Sequence, residues 1–162
     1  MFRIAVLTIS DKGASGLRED ASGPLVKEKI AVIGQVVHTA ILPDERLQIA
    51  DELRRICDGQ TADLILTTGG TGLSPRDVTP EATNDVIERS VPGIPEAIRA
   101  KSLSKTNRAM LSRATAGIRG QTLIINLPGS PRAVDECLDV VLPVLSHALG
   151  ILTSRESECA SP

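Results

Sequence analysis

Four apolar runs rich in isoleucine, valine and leucine constrain the fold of this chain more than any other feature of its sequence. They are RIAVLTIS (3–10), QVVHTAIL (35–42), DLILTT (63–68) and TLIINL (122–127). The runs are nearly continuous rather than alternating, which is typical of strands covered on both faces. Helical patterns follow the second run, at residues 46–57, and the fourth run, at residues 131–149. This alternation predicts an α/β fold with three layers, in which a mostly parallel sheet carries helices on both faces.

The domain organisation follows from the length of 162 residues, which fits one domain of ordinary size. We predict a folded domain over residues 1–152 and a disordered tail over residues 153–162. Between the third and fourth apolar runs, the pattern predicts two helical pieces, 95–103 and 108–116, with no strand between them.

The amino-acid composition narrows the classes of molecule that we expect this protein to bind. The formal net charge is −2 and the basic residues are scattered, so we expect neither a nucleic acid nor a membrane surface as partner. The start MFRIAVLTIS resembles a strand more than a signal peptide, and we expect a cytoplasmic protein. Three cysteines and two histidines stand far apart and indicate neither a disulfide framework nor a zinc site. With one Phe and no Tyr or Trp, a flat ligand must be held by backbone, aliphatic groups or arginines.

Polar residues and glycines follow each apolar run, where an open parallel sheet binds its ligands. In chain order they are Ser10, Asp11, Asp44, Gly69, Gly70, Thr71, Gly72, Asp77, Asn126, Pro128, Gly129 and Ser130. The turns GGTG and LPGS are good anion sites, because free amide groups and helix N-termini favour negative charge.

Carboxylates beside phosphate sites make chemical sense when a cation lies between them. Mg²⁺ prefers one or two carboxylates together with phosphate oxygens and water. We therefore select Asp44 and Asp77 as candidate magnesium ligands, and the chemistry indicated is phosphoryl or nucleotidyl transfer.

Each signal also has a simpler interpretation. GGTG fits a tight strand-to-helix turn, Asp44 and Ser130 fit helix caps, and Asp77 fits an ion pair with Arg76. Two familiar phosphate motifs are excluded, because Leu73 and Ser74 replace the Lys-Ser/Thr of a Walker loop and Pro75 replaces the third glycine of the dinucleotide fingerprint. Convergence on one sheet edge favours a functional site over these local roles.

Several of these stretches together resemble a known family. LTISDKGASG, ILPDE, LTTGGTGLSPRDVTPEAT and MLSRATAGIRGQTLIINLPGSPRAV are similar to the molybdopterin adenylyltransferases of molybdenum cofactor synthesis. That family includes free-standing bacterial enzymes and the G domains of gephyrin and of the plant enzyme. The resemblance runs from about residue 3 to about residue 150 and implies a molybdopterin-binding, Rossmann-like fold.

The resemblance also implies a reaction and its residues. Molybdopterin and ATP would give adenylyl-molybdopterin and pyrophosphate with Mg²⁺, in a homotrimer that contacts the protein inserting molybdenum. Asp44 and Asp77 match catalytic or metal-linked positions, and Ser10, Ser112 and Asn126 match positions implicated in molybdopterin binding. The alternatives are a catalytically weak paralogue and a non-catalytic carrier of molybdopterin.

Overall fold

The computed structural model describes residues 1–154, which form one six-stranded sheet with helices on both faces. The strands are β1 (Phe2–Ile9), β2 (Gly34–Leu42), β3 (Leu64–Thr68), β4 (Arg89–Ser90), β5 (Ala116–Arg119) and β6 (Thr122–Leu127). The α-helices are α1 (Asp11–Ala14), α2 (Ser22–Ile30), α3 (Arg46–Asp58), α4 (Thr79–Asn84), α5 (Gly93–Leu103) and α6 (Pro131–Leu152), with a 3₁₀ helix at Asn107–Leu111. Residues 155–162, most of the predicted tail, lie outside the described residues.

The strand order is β2-β1-β3-β6-β5-β4. Four neighbouring strands are mutually parallel, namely β2, β1, β3 and β6. Strand β5 runs antiparallel to both of its neighbours, β6 and β4. These four parallel strands are the four apolar runs of the sequence, each within one or two residues of the predicted bounds. The predicted α/β fold with a mostly parallel sheet is confirmed.

Two apolar clusters, one on each face of the sheet, explain why the runs are continuous. Along β1, Ile4 and Val6 join the cluster beneath α2, α5 and α6, while Ala5 and Leu7 join the cluster beneath α3 and α4. All four side chains are completely or almost completely buried. A strand covered on both faces has no position for a polar residue until it reaches its end.

The prediction of a helix over 108–116 is wrong. The structure has a short 3₁₀ helix that ends at Leu111, followed by an irregular segment and then β5. The physical reason is that the backbone of this segment bonds to distant residues. The Arg113 amide donates to the carbonyl of Thr71 at 2.9 Å, the Thr115 carbonyl accepts from the amide of Asn126 at 3.0 Å, and Ala116 pairs with Ile125 of β6. Pairing with the buried strand β6 outweighs the local helical pattern. The helix predicted at 95–103 is confirmed within α5.

Two cysteines are buried in the core, and one histidine contacts a carboxylate. Cys57 and Cys137 are buried on opposite faces of the sheet, and burial raises the pKa of each thiol to about 11. Cys159 lies outside the described residues. The His38 Nε2 atom lies 2.6 Å from the Glu52 carboxylate. Within residues 1–154, no helix combines the length and the apolar character needed to cross a bilayer.

Candidate active site

The carboxyl ends of four parallel strands meet at one edge of the sheet. Register pairs Ile9 with Leu42, Thr8 with Thr68, and Thr68 with Leu127. The loops that follow these strands therefore start side by side. This edge carries the residues that the sequence predicts to form a site.

The GGTG turn after β3 needs its first two glycines. Gly69 and Gly70 have φ values of +101° and +66°, a region that side chains other than glycine rarely occupy. A Cβ atom at Gly70 would also lie 3.0 Å from Oδ1 of Asp44. The amide groups of Gly70, Thr71 and Gly72 donate to no acceptor within residues 1–154. The turn is tight, as its simpler interpretation holds, and it also presents free donors to an anion.

The LPGS turn after β6 is tied to the same edge. Thr68 Oγ1 donates to the carbonyl of Pro128 at 2.7 Å, and Ser22 Oγ donates to the carbonyl of Gly129 at 2.6 Å. Ser130 is the N-cap of α6, since its Oγ accepts from the amide of Ala133 at 3.3 Å. The capping interpretation of Ser130 is therefore confirmed. The cap also fixes the N-terminus of a long helix beside the GGTG turn.

A cavity of about 470 Å³ opens between these turns and the loop after β1. We call it the carboxylate cavity, because four acidic residues line it, namely Glu19, Asp20, Asp44 and Asp77. The predicted residues that line it are Ser10, Asp44, Gly69, Gly70, Asp77, Gly129 and Ser130. Arg18 is the one basic residue among the residues that line it.

Asp44 is held by Asp11 rather than by a helix. Asp44 Oδ2 accepts from the amide of Asp11 at 2.9 Å, and the Asp44 amide donates to Asp11 Oδ1 at 3.0 Å. The N-cap of α3 is Glu45, so the interpretation of Asp44 as a helix cap is wrong. Asp44 Oδ1 accepts no hydrogen bond within the described part of the chain. Burial, followed by the charges of Asp11 and Asp77, raises the pKa of the Asp44 carboxyl group despite the hydrogen bond from the Asp11 amide.

Asp11 itself does not line the carboxylate cavity. Arg76 donates to both of its carboxylate oxygens, at 3.0 and 2.9 Å, and also to Glu45 at 2.8 Å. The hydrogen bonds from Arg76 lower the pKa of the Asp11 carboxyl group. In this structure Asp11 orients Asp44 through the pair of hydrogen bonds between them, and its role in substrate binding stays a prediction.

Asp77 does not form the ion pair with Arg76 that its simpler interpretation predicts. The guanidinium of Arg76 is occupied by Asp11 and Glu45, and Asp77 Oδ2 accepts instead from the amide of Ser74 at 3.0 Å. Asp44 and Asp77 both line the carboxylate cavity, and the negative charge of Asp77 contributes to the raised pKa of Asp44. A cation placed between them would relieve this repulsion.

A second cavity of about 300 Å³ lies on the other side of the GGTG and LPGS turns. We call it the apolar cavity, because most of the surface that lines it is apolar; its lining residues include Ile98, Ala109, Leu111, Ala114 and Ala133. The predicted residues that line it are Thr71, Gly72, Ser112, Asn126 and Pro128. The predicted site residues thus divide between two cavities, and the two glycine turns form a shared partition.

Asn126 occupies a special place in this partition. Its side-chain amide donates to Thr67 Oγ1 at 3.0 Å and to Thr83 Oγ1 at 2.9 Å, and its side-chain oxygen accepts from the amide of Thr115 at 3.2 Å. The residue is 1% exposed. A hydrogen bond from this amide to a ligand would require one of the internal bonds to break.

Several residues of the site were not assigned from the sequence. Asp20 accepts from Thr8 Oγ1 and from the amides of Ser22 and Gly23, and so holds the start of α2 against β1. An acidic residue just before Ser-Gly-Pro is a detectable capping signal. Arg113, which reaches the carbonyls of Gly72 and Asp77, has no local signal because these partners lie 41 and 36 residues away in sequence, respectively.

Comparisons with known proteins agree with this geometry. Residues 5–147 match the family model described as a probable molybdopterin binding domain. A molybdopterin adenylyltransferase of Helicobacter pylori is 41% identical over 152 residues, which cover 92% of this chain and 86% of that protein. A molybdopterin adenylyltransferase of Pyrococcus furiosus is 41% identical over 154 residues, covering 91% of this chain and 89% of the relative.

Solved structures give the same result. The molybdopterin biosynthesis enzyme MoaB of Thermus thermophilus superposes with a TM-score of 0.90 at 50% identity, covering 95% of this chain and 98% of that one. The fold, the motifs at the sheet edge and the level of identity all agree with the resemblance seen in the sequence. The chain therefore belongs to the family of molybdopterin-binding domains of molybdenum cofactor biosynthesis, which includes the molybdopterin adenylyltransferases.

Proposed function

We propose that this protein transfers the adenylyl group of ATP to molybdopterin and releases pyrophosphate. The observation that carries the proposal is the pair of cavities that share the GGTG and LPGS turns as a partition. A transfer between two substrates needs two adjoining sites with a common anion-binding wall. The names of the Helicobacter and Pyrococcus relatives favour the same reaction.

The reaction is an in-line displacement at phosphorus. An oxygen of the terminal phosphate of molybdopterin attacks the α-phosphorus of ATP and forms a new P–O bond. The bond from the α-phosphorus to the bridging oxygen of the β-phosphate breaks, and pyrophosphate leaves with the electron pair. Positioning and charge neutralisation supply most of the catalysis in such transfers.

The free donors at the partition suit this task. In the proposed complex, the amides of Gly70, Thr71 and Gly72 donate to phosphate oxygens, and the capped N-terminus of α6 at Ser130 adds its dipole. Donors of this kind stabilise charge that develops on the oxygens in the transition state, and they need no reorganisation as the reaction proceeds.

The carboxylates fit a divalent cation. Asp44 and Asp77 repel each other across the carboxylate cavity, and Asp44 Oδ1 has no donor within residues 1–154. The described residues contain no cluster of three or more His, Cys, Asp or Glu side chains suited to a metal. A pair of carboxylates that needs phosphate oxygens and water to complete the shell suits Mg²⁺, which when bound would neutralise the phosphates of ATP. Asp44 and Asp77 are the residues that would hold it.

The test is release of pyrophosphate by purified protein supplied with molybdopterin, ATP and Mg²⁺. We expect turnover by the native chain and a loss of at least ~10²-fold in Asp77→Asn, which keeps the shape of the side chain but removes its charge. Asp58→Asn is the matched control, because Asp58 pairs with Arg119 away from both cavities. Binding of molybdopterin without pyrophosphate release would instead identify a carrier or an inactive paralogue.

A further inference from the structure

Arg113 makes an unusual set of contacts at the partition between the two cavities. Its Nε donates to the carbonyl of Gly72 at 2.7 Å and its Nη2 to the carbonyl of Asp77 at 2.6 Å. Its Nη1 contacts the carboxylate of Glu81. The backbone amide of Arg113 also donates to the carbonyl of Thr71 at 2.9 Å. One residue therefore engages four groups in the stretch from Thr71 to Glu81.

These contacts join the two ends of an exposed loop. Gly72 and Asp77 bound the segment Leu73–Arg76, whose four residues are all exposed. Inside the loop, the Asp77 amide donates to the carbonyl of Ser74 at 2.9 Å, and the Ser74 amide donates back to Asp77 Oδ2. Arg76 anchors the outer side of the loop to Asp11. Arg113 anchors the inner side, on which the Asp77 backbone lies.

The segment that carries Arg113 is itself fixed to the apolar cavity. Arg99 donates to the carbonyls of Ser112 and Ala114, which flank Arg113 on either side. Ser112 and Ala114 line the apolar cavity. Arg113 thus connects the wall of the apolar cavity to the backbone of Asp77, whose side chain lines the carboxylate cavity.

We propose that Arg113 is a positioning residue, which sets the place of the Asp77 carboxylate relative to the GGTG turn and to the wall of the apolar cavity. Its effect on turnover rests on the proposed function. Its effect on the loop does not, because that effect belongs to the protein without substrates.

A guanidinium group is required for this role. Its planar fork directs several N–H groups at once to Gly72, Asp77 and Glu81, whereas a lysine ammonium group is a single point on a flexible stem. Glu81 depends on the same group, because its Oε2 is buried with no hydrogen-bond partner in the described part of the chain. Burial opposes ionisation of Glu81, but the hydrogen bond from Arg113 and nearby positive charges leave its pKa below the ordinary value.

Arg113→Lys is the decisive variant, since it keeps a positive charge for Glu81 and loses the fork. Arg119→Lys is the matched control, because Arg119 likewise binds a carboxylate, that of Asp58, and a backbone carbonyl, that of Val86, away from both cavities. The first measurement is amide hydrogen exchange of the native chain and both variants without substrates. We expect the amides of Ser74 and Asp77 to exchange at least about tenfold faster in Arg113→Lys than in the other two proteins.

The second measurement is steady-state pyrophosphate release. We expect kcat to fall by at least about tenfold in Arg113→Lys, with KM for molybdopterin within about twofold of the native value, because a displaced carboxylate acts on the transition state. Unchanged exchange at Ser74 and Asp77 would overturn the positioning role. Faster exchange with unchanged kcat would also overturn it, and so would an equal loss of kcat in Arg119→Lys.

The two measurements separate this inference from the proposed function. If the native chain releases no pyrophosphate, the proposed function fails, and the exchange experiment alone still decides whether Arg113 fixes the loop.

Discussion

Replacement of Asn126 by alanine distinguishes a ligand-binding residue from a structural one. The side chain lies in the middle of the partition, where it joins β6 to Thr67 of β3 and Thr83 of α4. It also accepts from the amide of Thr115, just before β5. Both amide hydrogens and the oxygen are therefore engaged, and the residue is almost completely buried.

The cost of this replacement follows from the contacts that are lost. Three hydrogen bonds at about 1 kcal/mol each give a loss of about 3 kcal/mol in the free energy of unfolding. In a domain of this length, about 3 kcal/mol corresponds to a fall in Tm of roughly 6–12 °C.

The assay is thermal unfolding followed by circular dichroism, together with molybdopterin titration at a temperature where every variant is folded. Ser112→Ala is the control, because Ser112 Oγ makes a single internal bond, from the Ala114 amide at 3.3 Å. We expect Ser112→Ala to keep its Tm within a few degrees and to weaken molybdopterin binding by about 10- to 100-fold. A Tm for Asn126→Ala within about 2 °C of the native value would refute the structural role.

Three further predictions concern charge and assembly. Asp44→Asn should lower turnover by at least ~10²-fold. It should also raise the free energy of unfolding at neutral pH, because burial and neighbouring carboxylates raise the pKa of Asp44 in the folded protein and its ionised form therefore costs stability. Urea denaturation should show that this gain in stability vanishes below about pH 4. Arg18→Ala should raise KM for ATP by at least about tenfold, because Arg18 is the one basic residue lining the carboxylate cavity. Lys12→Ala, in the preceding helix α1 and outside that cavity, is the control in the same assay. The exposed side chains of Leu103, Met110 and Leu111 favour the homotrimer that the family resemblance implies. Light scattering should give three times the mass of one chain, and a monomeric mass at micromolar concentration would refute the trimer.

The sequence was most informative about the centre of the sheet. Strands such as β3 and β6 are buried on both faces, so their composition is set by burial alone and appears as an unbroken apolar run. The topology then brings their carboxyl ends together, which is why the glycine turns and both aspartates converge as predicted. Rules of this kind depend on local composition and on the direction of the chain, and both can be read from one sequence.

The edge of the sheet and the roles of individual side chains were less accessible. The sequence predicts no strand at Ala116–Arg119 and a helix that runs up to residue 116, because the place of β5 is decided by pairing with β6, which the local pattern does not record. Asp11 was grouped with substrate-binding residues because it follows β1, yet its carboxylate is taken by Arg76, which is 65 residues away. Ion pairs and hydrogen bonds between distant residues carry no signal in a single chain.

The carboxylate cavity shows how function and stability oppose each other in this fold. Partial burial and the charges of neighbouring carboxylates oppose ionisation of Asp44. Hydrogen bonds from the Asp11 amide to the Asp44 carboxylate and from the Arg113 side chain to the Asp77 carbonyl hold the two residues in place. In the proposed complex, a cation and phosphates that enter the cavity would relieve this repulsion. The glycine turn contributes in the same sense, because its amides have no acceptor in the described part of the chain until an anion binds. The site is therefore prepared for charge before its ligands arrive, which is the condition under which a protein stabilises the transition state of phosphoryl chemistry without reorganising.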